Sequence, residues 1–118
     1  MASALTVGGT LSTPQGTVNV QSQTITGNAT DLIVVYETLL SSTPTAYAVP
    51  SWAEGVLIQP GSSGSSHTTT FKMLTGDTGA HISPSAPSLI AFDNSNLPSD
   101  IYLTSSGSDT TYTTVTFF

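Results

Sequence analysis

Apolar and polar residues alternate along much of this chain, and no segment shows the 3.6-residue apolar period of an amphipathic helix. Thr, Val, Ile, Tyr and Phe, which favour strands, dominate the stretches between turn residues. Phe71 and Met73 share one parity of their segment, so we expect both to face a core. The pattern predicts nine strands, at residues 5–11, 17–26, 32–40, 45–49, 55–59, 67–74, 88–92, 101–104 and 110–118.

Clusters of Gly, Pro, Asn, Asp and Ser separate these segments at short intervals, as in residues 13–16, 61–64, 76–79 and 94–96. Short strands with turns at this spacing are typical of antiparallel sandwiches and jelly rolls. A length of 118 residues fits one domain. The sequence therefore predicts an all-β fold, a single antiparallel β-sandwich or jelly-roll-like domain.

Residues 32–40 do not alternate, because both faces of the predicted strand carry apolar side chains. Leu32, Val34 and Tyr36 share one face, with Ile33, Val35 and Leu39 on the other. Such a strand is either central in a sandwich or covered by a partner subunit. The sequence also ends on two large rings, and we expect that end to be docked rather than frayed. The candidate interface residues are Leu32, Val34, Tyr36, Trp52, Phe117 and Phe118.

The first 28 residues are poorer in large apolar groups than the rest. Two predicted strands flank the turn Thr13-Pro14-Gln15-Gly16, so we expect either an edge hairpin of the main sheet or an arm that docks on a neighbour. The predicted organisation is residues 1–28 as this hairpin or docking arm and residues 29–118 as the sandwich domain.

Charge excludes several classes of function. One Lys and no Arg stand against seven acidic residues, a net charge of −6, and charged residues make up 7% of the chain, where about 25% is usual. Without a basic patch, we expect neither nucleic-acid binding nor attachment to anionic membranes. Phosphoryl transfer would lack its usual cationic clamps. The 39 Ser and Thr residues and the 37% hydrophobic fraction indicate a folded protein with a hydroxyl-rich surface.

Cysteine is absent, so the chain has neither disulfides nor a thiolate nucleophile or metal ligand. The amino-terminal residues do not form the basic and apolar regions of a signal peptide, and secretion by that route is not expected. The longest apolar run, residues 32–36, is far short of the ~20 residues that span a bilayer.

The Asp77-Thr78-Gly79-Ala80 segment matches the loop with which retroviral-type aspartic proteases pair two carboxylates across a dimer. Those proteases have bulky apolar residues before the Asp and a later bracing segment, whereas Thr75-Gly76 precede Asp77 here. We therefore interpret this segment as a turn, in which Asp makes an Asx-type bond and Gly supplies a positive φ.

His67 and His81 are the only histidines, and Asp77 or Asp93 could join them around a metal ion. Their separation of 14 residues matches no recognised ligand spacing, so no metal or other cofactor is predicted. A Ser-His-Asp triad is not predicted either, because the chain has no Gly-x-Ser-x-Gly elbow.

Trp52 is the only indole and lies in a loop bounded by Pro50. Exposed aromatic side chains on β-sandwiches stack against sugar rings, so a carbohydrate-binding module is one alternative. Such sites use two or three aromatic residues together, and a single Trp is more often an anchor in a core or an interface. We interpret Trp52 in this second way.

Four segments from residue 45 onward carry a resemblance to a known class of proteins. They are residues 45–60 (TAYAVPSWAEGVLIQP), 75–84 (TGDTGAHISP), 87–93 (PSLIAFD) and 101–104 (IYLT). In their order of strand ends, turn and Ile-x-Pro step they resemble the small β-sandwich virion proteins of tailed bacteriophages. That class contains capsid decoration (cement) proteins and head fibres.

The resemblance implies a role without an active site. It implies a non-enzymatic virion protein, foremost a capsid decoration protein that is made in the host cytoplasm and stabilises the head by binding the major capsid protein. A homo-oligomer is expected, with a trimer favoured because decorations of this class often occupy local three-fold positions. The alternatives are a fibre or tail accessory protein, the carbohydrate-binding module and, most distantly, the aspartic protease.

Overall fold

A computed structural model describes residues 4–28, 32–61, 67–74 and 76–118. It contains ten strands and one short 3-10 turn, and the described part of the chain has no α-helix. The predicted all-β class is confirmed. The elements are β1 (Ala4–Thr13), β2 (Gly16–Thr26), β3 (Val34–Thr38), β4 (Thr45–Ala48), β5 (Gly55–Gln59), β6 (Thr69–Lys72), β7 (Ala80–Ile82), β8 (Ser88–Ala91), the 3-10 turn (Asn94–Asn96), β9 (Asp100–Ser105) and β10 (Thr113–Phe117).

Strands β3 to β10 form two antiparallel four-stranded sheets that pack face to face as a sandwich. Sheet I has the order β3-β10-β5-β8, and sheet II has the order β4-β9-β6-β7. Alternate residues of the central strands point inward. In β10, Val115 and Phe117 are fully buried and alternate with Thr114 and Thr116, which are partly exposed. This period of two is the one that the sequence predicted.

The core lies between the sheets. Val56, Ile58, Val115 and Phe117 of sheet I face Tyr47, Phe71, Ile101 and Leu103 of sheet II. The Tyr36 ring meets the rings of Tyr47 and Phe117 edge-on, with centroids 5.4 and 6.2 Å away. Edge-to-face contacts of this kind stabilise a core beyond simple burial. Met73 packs against this core beside the buried Phe71, as its parity predicted.

β3 is an edge strand of sheet I, so the first of the two alternatives for this segment, a central strand, is wrong. Val34 and Tyr36 point inward and are half-buried, whereas Val35 and Glu37 point outward and are exposed. The strand lies at the edge because β10, from the far end of the sequence, takes the place between β3 and β5. The structure has one chain only, so cover by a partner subunit stays a prediction.

Phe117 and Phe118 are buried within the chain, so the interpretation of this pair as interface residues is corrected. The Phe118 carbonyl accepts hydrogen bonds from the N–H groups of Glu54 and Gly55, and its own N–H donates to the Gly55 carbonyl. Its ring lies over Gly55, where a Cβ atom would come within 2.7 Å of it. The predicted docking of this end is what the structure shows.

β1 and β2 pair with each other and with neither four-stranded sheet, so the hairpin is not an edge of the sandwich. We call residues 4–26 the arm. Ten residues in β1, at about 3.3 Å each, make it about 33 Å long. Whether the arm docks on a neighbour stays a prediction, and the proposed boundary after residue 28 adjoins residues 29–31, which lie outside the described part.

Candidate interaction surfaces

One face of the arm is apolar and the other is polar. The register pairs Leu5 with Ile25 and Leu11 with Val18, which places these side chains on one face together with Val7. The opposite face carries hydroxyl and amide side chains, and Thr6 and Thr24 hydrogen-bond across it through their Oγ1 atoms at 3.1 Å. The polar set is Thr6, Thr10, Ser12, Thr17, Asn19, Thr24 and Thr26. The arm therefore has the alternation of a strand pair with one buried face.

The apolar face of the arm has no cover along most of its length. Val7 is 44% exposed, Leu11 55% and Val18 54%, whereas Leu5 and Ile25 at the base are half-buried. Ala4 and Leu5 line a small cavity with Leu57, Thr116 and Phe118 of sheet I. The base of the arm thus contacts the outer face of sheet I, and the rest extends beyond it.

Asn28 fixes the joint between the arm and the sandwich. Its side-chain Nδ2 donates to the Leu32 carbonyl at 2.7 Å, and its Oδ1 accepts from the Leu32 N–H at 2.9 Å. The residue is only 5% exposed, so these bonds are shielded from water. A buried amide bonded twice to one residue's backbone gives this connection a defined geometry.

A second apolar surface lies on the outside of the sandwich at its β3 edge. Leu32, Ile33, Val35 and Leu39 are each about half exposed, and we call them the β3 patch. Of the candidate interface residues, Leu32 therefore belongs to an open surface, whereas Val34 and Tyr36 pack against the core. The sequence showed that this strand has two apolar faces, but it could not show which face the core takes.

Trp52 lies in the turn closed by the bond from the Ala53 N–H to the Pro50 carbonyl. Its side chain is partly buried and packs against the core, in keeping with the interpretation as an anchor.

The outer face of sheet II has a different aromatic residue, Tyr102, which pairs with Ala46 on one side and Lys72 on the other.

Lys72 borders a shallow cleft of about 310 Å³. It is the one Lys in a sequence that has no Arg. Ser42, Thr70, Thr78 and Thr104 supply hydroxyl groups around the cleft. The Oγ1 atom of Thr104 is buried and has no hydrogen-bond partner among the described residues. Sequence reasoning did not identify this cleft, because its residues come from four separate segments.

Asp77 lies in an exposed turn. The Asp77 N–H donates to the Leu74 carbonyl at 3.2 Å, so a backbone bond closes the turn rather than the expected Asx-type bond. Gly79 has a φ of +82°, as the turn interpretation required.

His67 and Asp109 form the closest pair of ionisable side chains that the structure describes. His67 Nδ1 lies 2.7 Å from Asp109 Oδ1, and Ser105 Oγ donates to the same carboxylate oxygen at 2.9 Å. In a catalytic triad the histidine stands between the serine and the aspartate, whereas here the carboxylate stands between the other two. Ser105 is also fully buried. This arrangement ties the loop after β9 to the segment before β6.

Asp93 starts the 3-10 turn. Its carboxylate accepts hydrogen bonds from the N–H and Oγ of Ser95 and from the Asn96 side chain, and these bonds lower the pKa of the Asp93 carboxyl below its ordinary value. His81 instead contacts Thr70, with 3.2 Å between Nδ1 and Oγ1. Among the described residues no three His, Asp or Glu side chains come together as a metal site.

Comparisons of the chain with models of protein families, with curated proteins and with solved structures find no match. The described residues include no helix long and apolar enough to cross a membrane.

Proposed function

We propose that this chain is a non-enzymatic structural protein of a bacteriophage virion, a decoration protein that binds the major capsid protein on the outside of the head. The observation that carries the proposal is a folded sandwich with large apolar side chains left open on an arm and at a sheet edge. Uncovered surface of this kind marks a protein that completes its burial in an assembly. The resemblance of residues 45–104 to phage virion proteins suggests which assembly.

The arrangement supports a purely physical mode of action. Burial of apolar surface contributes about 25 cal/mol per Å², and the unpaired edges of the arm and of β3 can form backbone bonds with strands of another subunit. Charge contributes little, because residues 4–26 contain no ionisable side chain. A protein that binds only the assembled shell stabilises it by mass action. A homo-oligomer, with a trimer favoured, would match the local three-fold positions of a capsid.

The proposal is tested on virus particles with and without the protein. We expect decorated particles to withstand a higher temperature before they release their DNA, which a dye that binds free DNA reports. We also expect the protein to stay attached in molar NaCl, because apolar contacts are not screened by salt. Release in moderate NaCl, or identical melting of both particles, would contradict cementing and favour a role as a fibre or tail accessory protein.

Carbohydrate binding is the second candidate, and the outer face of sheet II favours it over the Trp52 loop. Tyr102 there stands beside the Lys72 cleft and its hydroxyl groups, a combination of ring and polar side chains that suits a sugar. Glycan binding abolished by Tyr102→Ala, with Trp52→Phe as the matched control, would support this candidate. The absence of binding by the unaltered protein on a glycan array would exclude it.

A further inference from the structure

The exposed large apolar side chains of the described residues are concentrated in two places. Seven of nine belong either to the arm, as Val7, Leu11 and Val18, or to the β3 patch, as Leu32, Ile33, Val35 and Leu39. Leu74 and Tyr112 are the other two. The sequence is otherwise rich in hydroxyl side chains, so this concentration of apolar groups calls for an explanation.

An arm of this kind needs a cover. A two-stranded hairpin is at best marginally stable in water by itself. It becomes stable when a further strand pairs with it or when another element packs against its apolar face. The sandwich of the same chain covers only the base, at Leu5. The buried Asn28 amide sets the geometry of the joint through its two bonds to Leu32, and with this joint the arm and the β3 patch of one chain both stay open.

The two surfaces match each other in chemistry. The arm has no charged residue, whereas the β3 patch has two acidic neighbours: Asp31 precedes Leu32 in the sequence, and Glu37 lies between Val35 and Leu39 on the outward face. Both present branched aliphatic side chains, which pack against one another without the need for polar partners. Copies of a chain with a net charge of −6 repel each other in general, so an uncharged arm is the part of one copy that can approach these acidic neighbours of another without like-charge repulsion.

We infer that the arm of one copy lies with its apolar face on the β3 patch of a second copy. This inference deepens the proposed function and rests on its homo-oligomer. The hydroxyl face and the free strand edges of the arm then point away from the second copy and stay available to a capsid subunit.

The available area favours a closed exchange. An arm about 30 Å long and 10 Å wide covers about 300 Å² on each side, so one contact buries about 600 Å² in total. A stable pair needs about 1,200 Å² or more. Two copies that exchange arms reach about that value in one interface, and a ring of three buries about 1,800 Å² over its three interfaces, about 600 Å² at each. Each copy therefore gives one arm and receives one, as in a cyclic oligomer.

Cysteine cross-linking tests which surfaces meet, because the natural chain has no thiol of its own. Val18→Cys is prepared in a tagged form and Val35→Cys in an untagged form, and the two are mixed and treated with a short bismaleimide. We expect a cross-linked product that contains one chain of each kind. Thr17→Cys, on the polar face of the arm, replaces Val18→Cys as the matched control and should yield at least tenfold less product.

Light scattering on charged variants tests the energetics. Val18→Asp should convert the oligomer to monomer at micromolar concentration, whereas Thr17→Asp adds the same charge to the polar face and should leave the oligomer intact. Both residues are exposed in the single chain, so both variants should keep its strand-dominated circular dichroism.

Three results would overturn the inference. They are a monomeric unaltered protein, equal cross-linking from the two faces, and cross-linking of Val18→Cys only to itself, which would mean that two arms pack face to face. A different result would contradict the proposed function and leave the inference intact: an oligomer with exchanged arms forms in solution but does not bind the virus particle.

Discussion

Replacing Gly55 with alanine tests how the last strand is held in place. Gly55 and Phe118 exchange backbone hydrogen bonds, at 3.1 Å from the Phe118 N–H and 3.2 Å from the Gly55 N–H. The ring of Phe118 covers the position where any other residue would have a side chain. A Cβ atom at position 55 would lie 2.7 Å from Phe118 Cζ and 3.1 Å from the carbonyl oxygen of Ile90.

The size of the effect follows from these distances. Carbon atoms in contact are about 3.5 Å apart, so the ring has to move by about 0.8 Å. The Ile90 carbonyl belongs to a strand paired with β5 and has little freedom to retreat. Overpacking of this kind costs about 1–3 kcal/mol in free energy of unfolding. The upper limit is about 3–5 kcal/mol, the usual cost of removing a buried Phe ring, since Phe118 is 7% exposed.

Urea denaturation followed by fluorescence measures the change, because Trp52 is the only indole and packs against the core. Gly76→Ala is the matched control: nothing lies within 4 Å of its added Cβ, so we expect a change within about 0.5 kcal/mol. Phe118→Leu should partly relieve Gly55→Ala, which gives a coupling of at least about 0.5 kcal/mol in a double-mutant cycle. A Gly55→Ala protein as stable as the unaltered one would refute the contact between this ring and Gly55.

Three further changes have defined outcomes. Tyr47→Phe should change the free energy of unfolding by less than about 1 kcal/mol, because among the described residues the buried Tyr47 hydroxyl makes no hydrogen bond of ordinary geometry and interacts only with the Thr38 side chain; a loss above 1 kcal/mol in urea denaturation would contradict this. Asp77→Asn should change the free energy of unfolding by less than about 0.5 kcal/mol, since a backbone hydrogen bond closes its turn. A peptide-cleaving activity that this substitution abolishes would contradict the interpretation of Asp77 as a turn residue. Because the pKa of Asp93 is lowered, its hydrogen bonds stabilise the fold above the ordinary carboxyl pKa and are lost as the pH falls through the lowered pKa. In an acid titration followed by NMR, the chemical shift of the Ser95 amide should therefore change as Asp93 is protonated. The Asp93→Asn variant should not show this change.

Alternation predicted the strands well where one face is dry and the other wet. β6 was found on this signal, and its inward Phe71 has the predicted parity; β10 was predicted as a strand without an assignment of its faces. β7 was missed because three residues with a single inward side chain, Ile82, give no measurable period. Residues 94–96 were predicted as a turn, and the structure gives this turn the 3-10 form, with Asp93 as a typical capping residue before Asn94.

Long-range pairing is what the sequence could not supply. The apolar character of residues 32–40 was clear, yet their place at the edge depends on β10 reaching the position between β3 and β5. The exposure of the arm likewise depends on which partner its strands choose, and local pattern predicts a hairpin without predicting its neighbours. The Lys72 cleft is a product of the same long-range assembly.

The strand order also has a consequence for the time course of folding. One of the two middle positions in each sheet is taken by β10 or β9, the last two strands that the structure describes, and Thr113 pairs with Thr38 from near the other end of the sandwich. A ribosome-bound chain that lacks these strands can pair β5 with β8 and β6 with β7, but it has no neighbour for β3 or β4 and cannot complete either sheet. Folding of the sandwich must therefore wait until β10 has been synthesised and must close large loops at once, which places it in the slow range of about milliseconds to seconds.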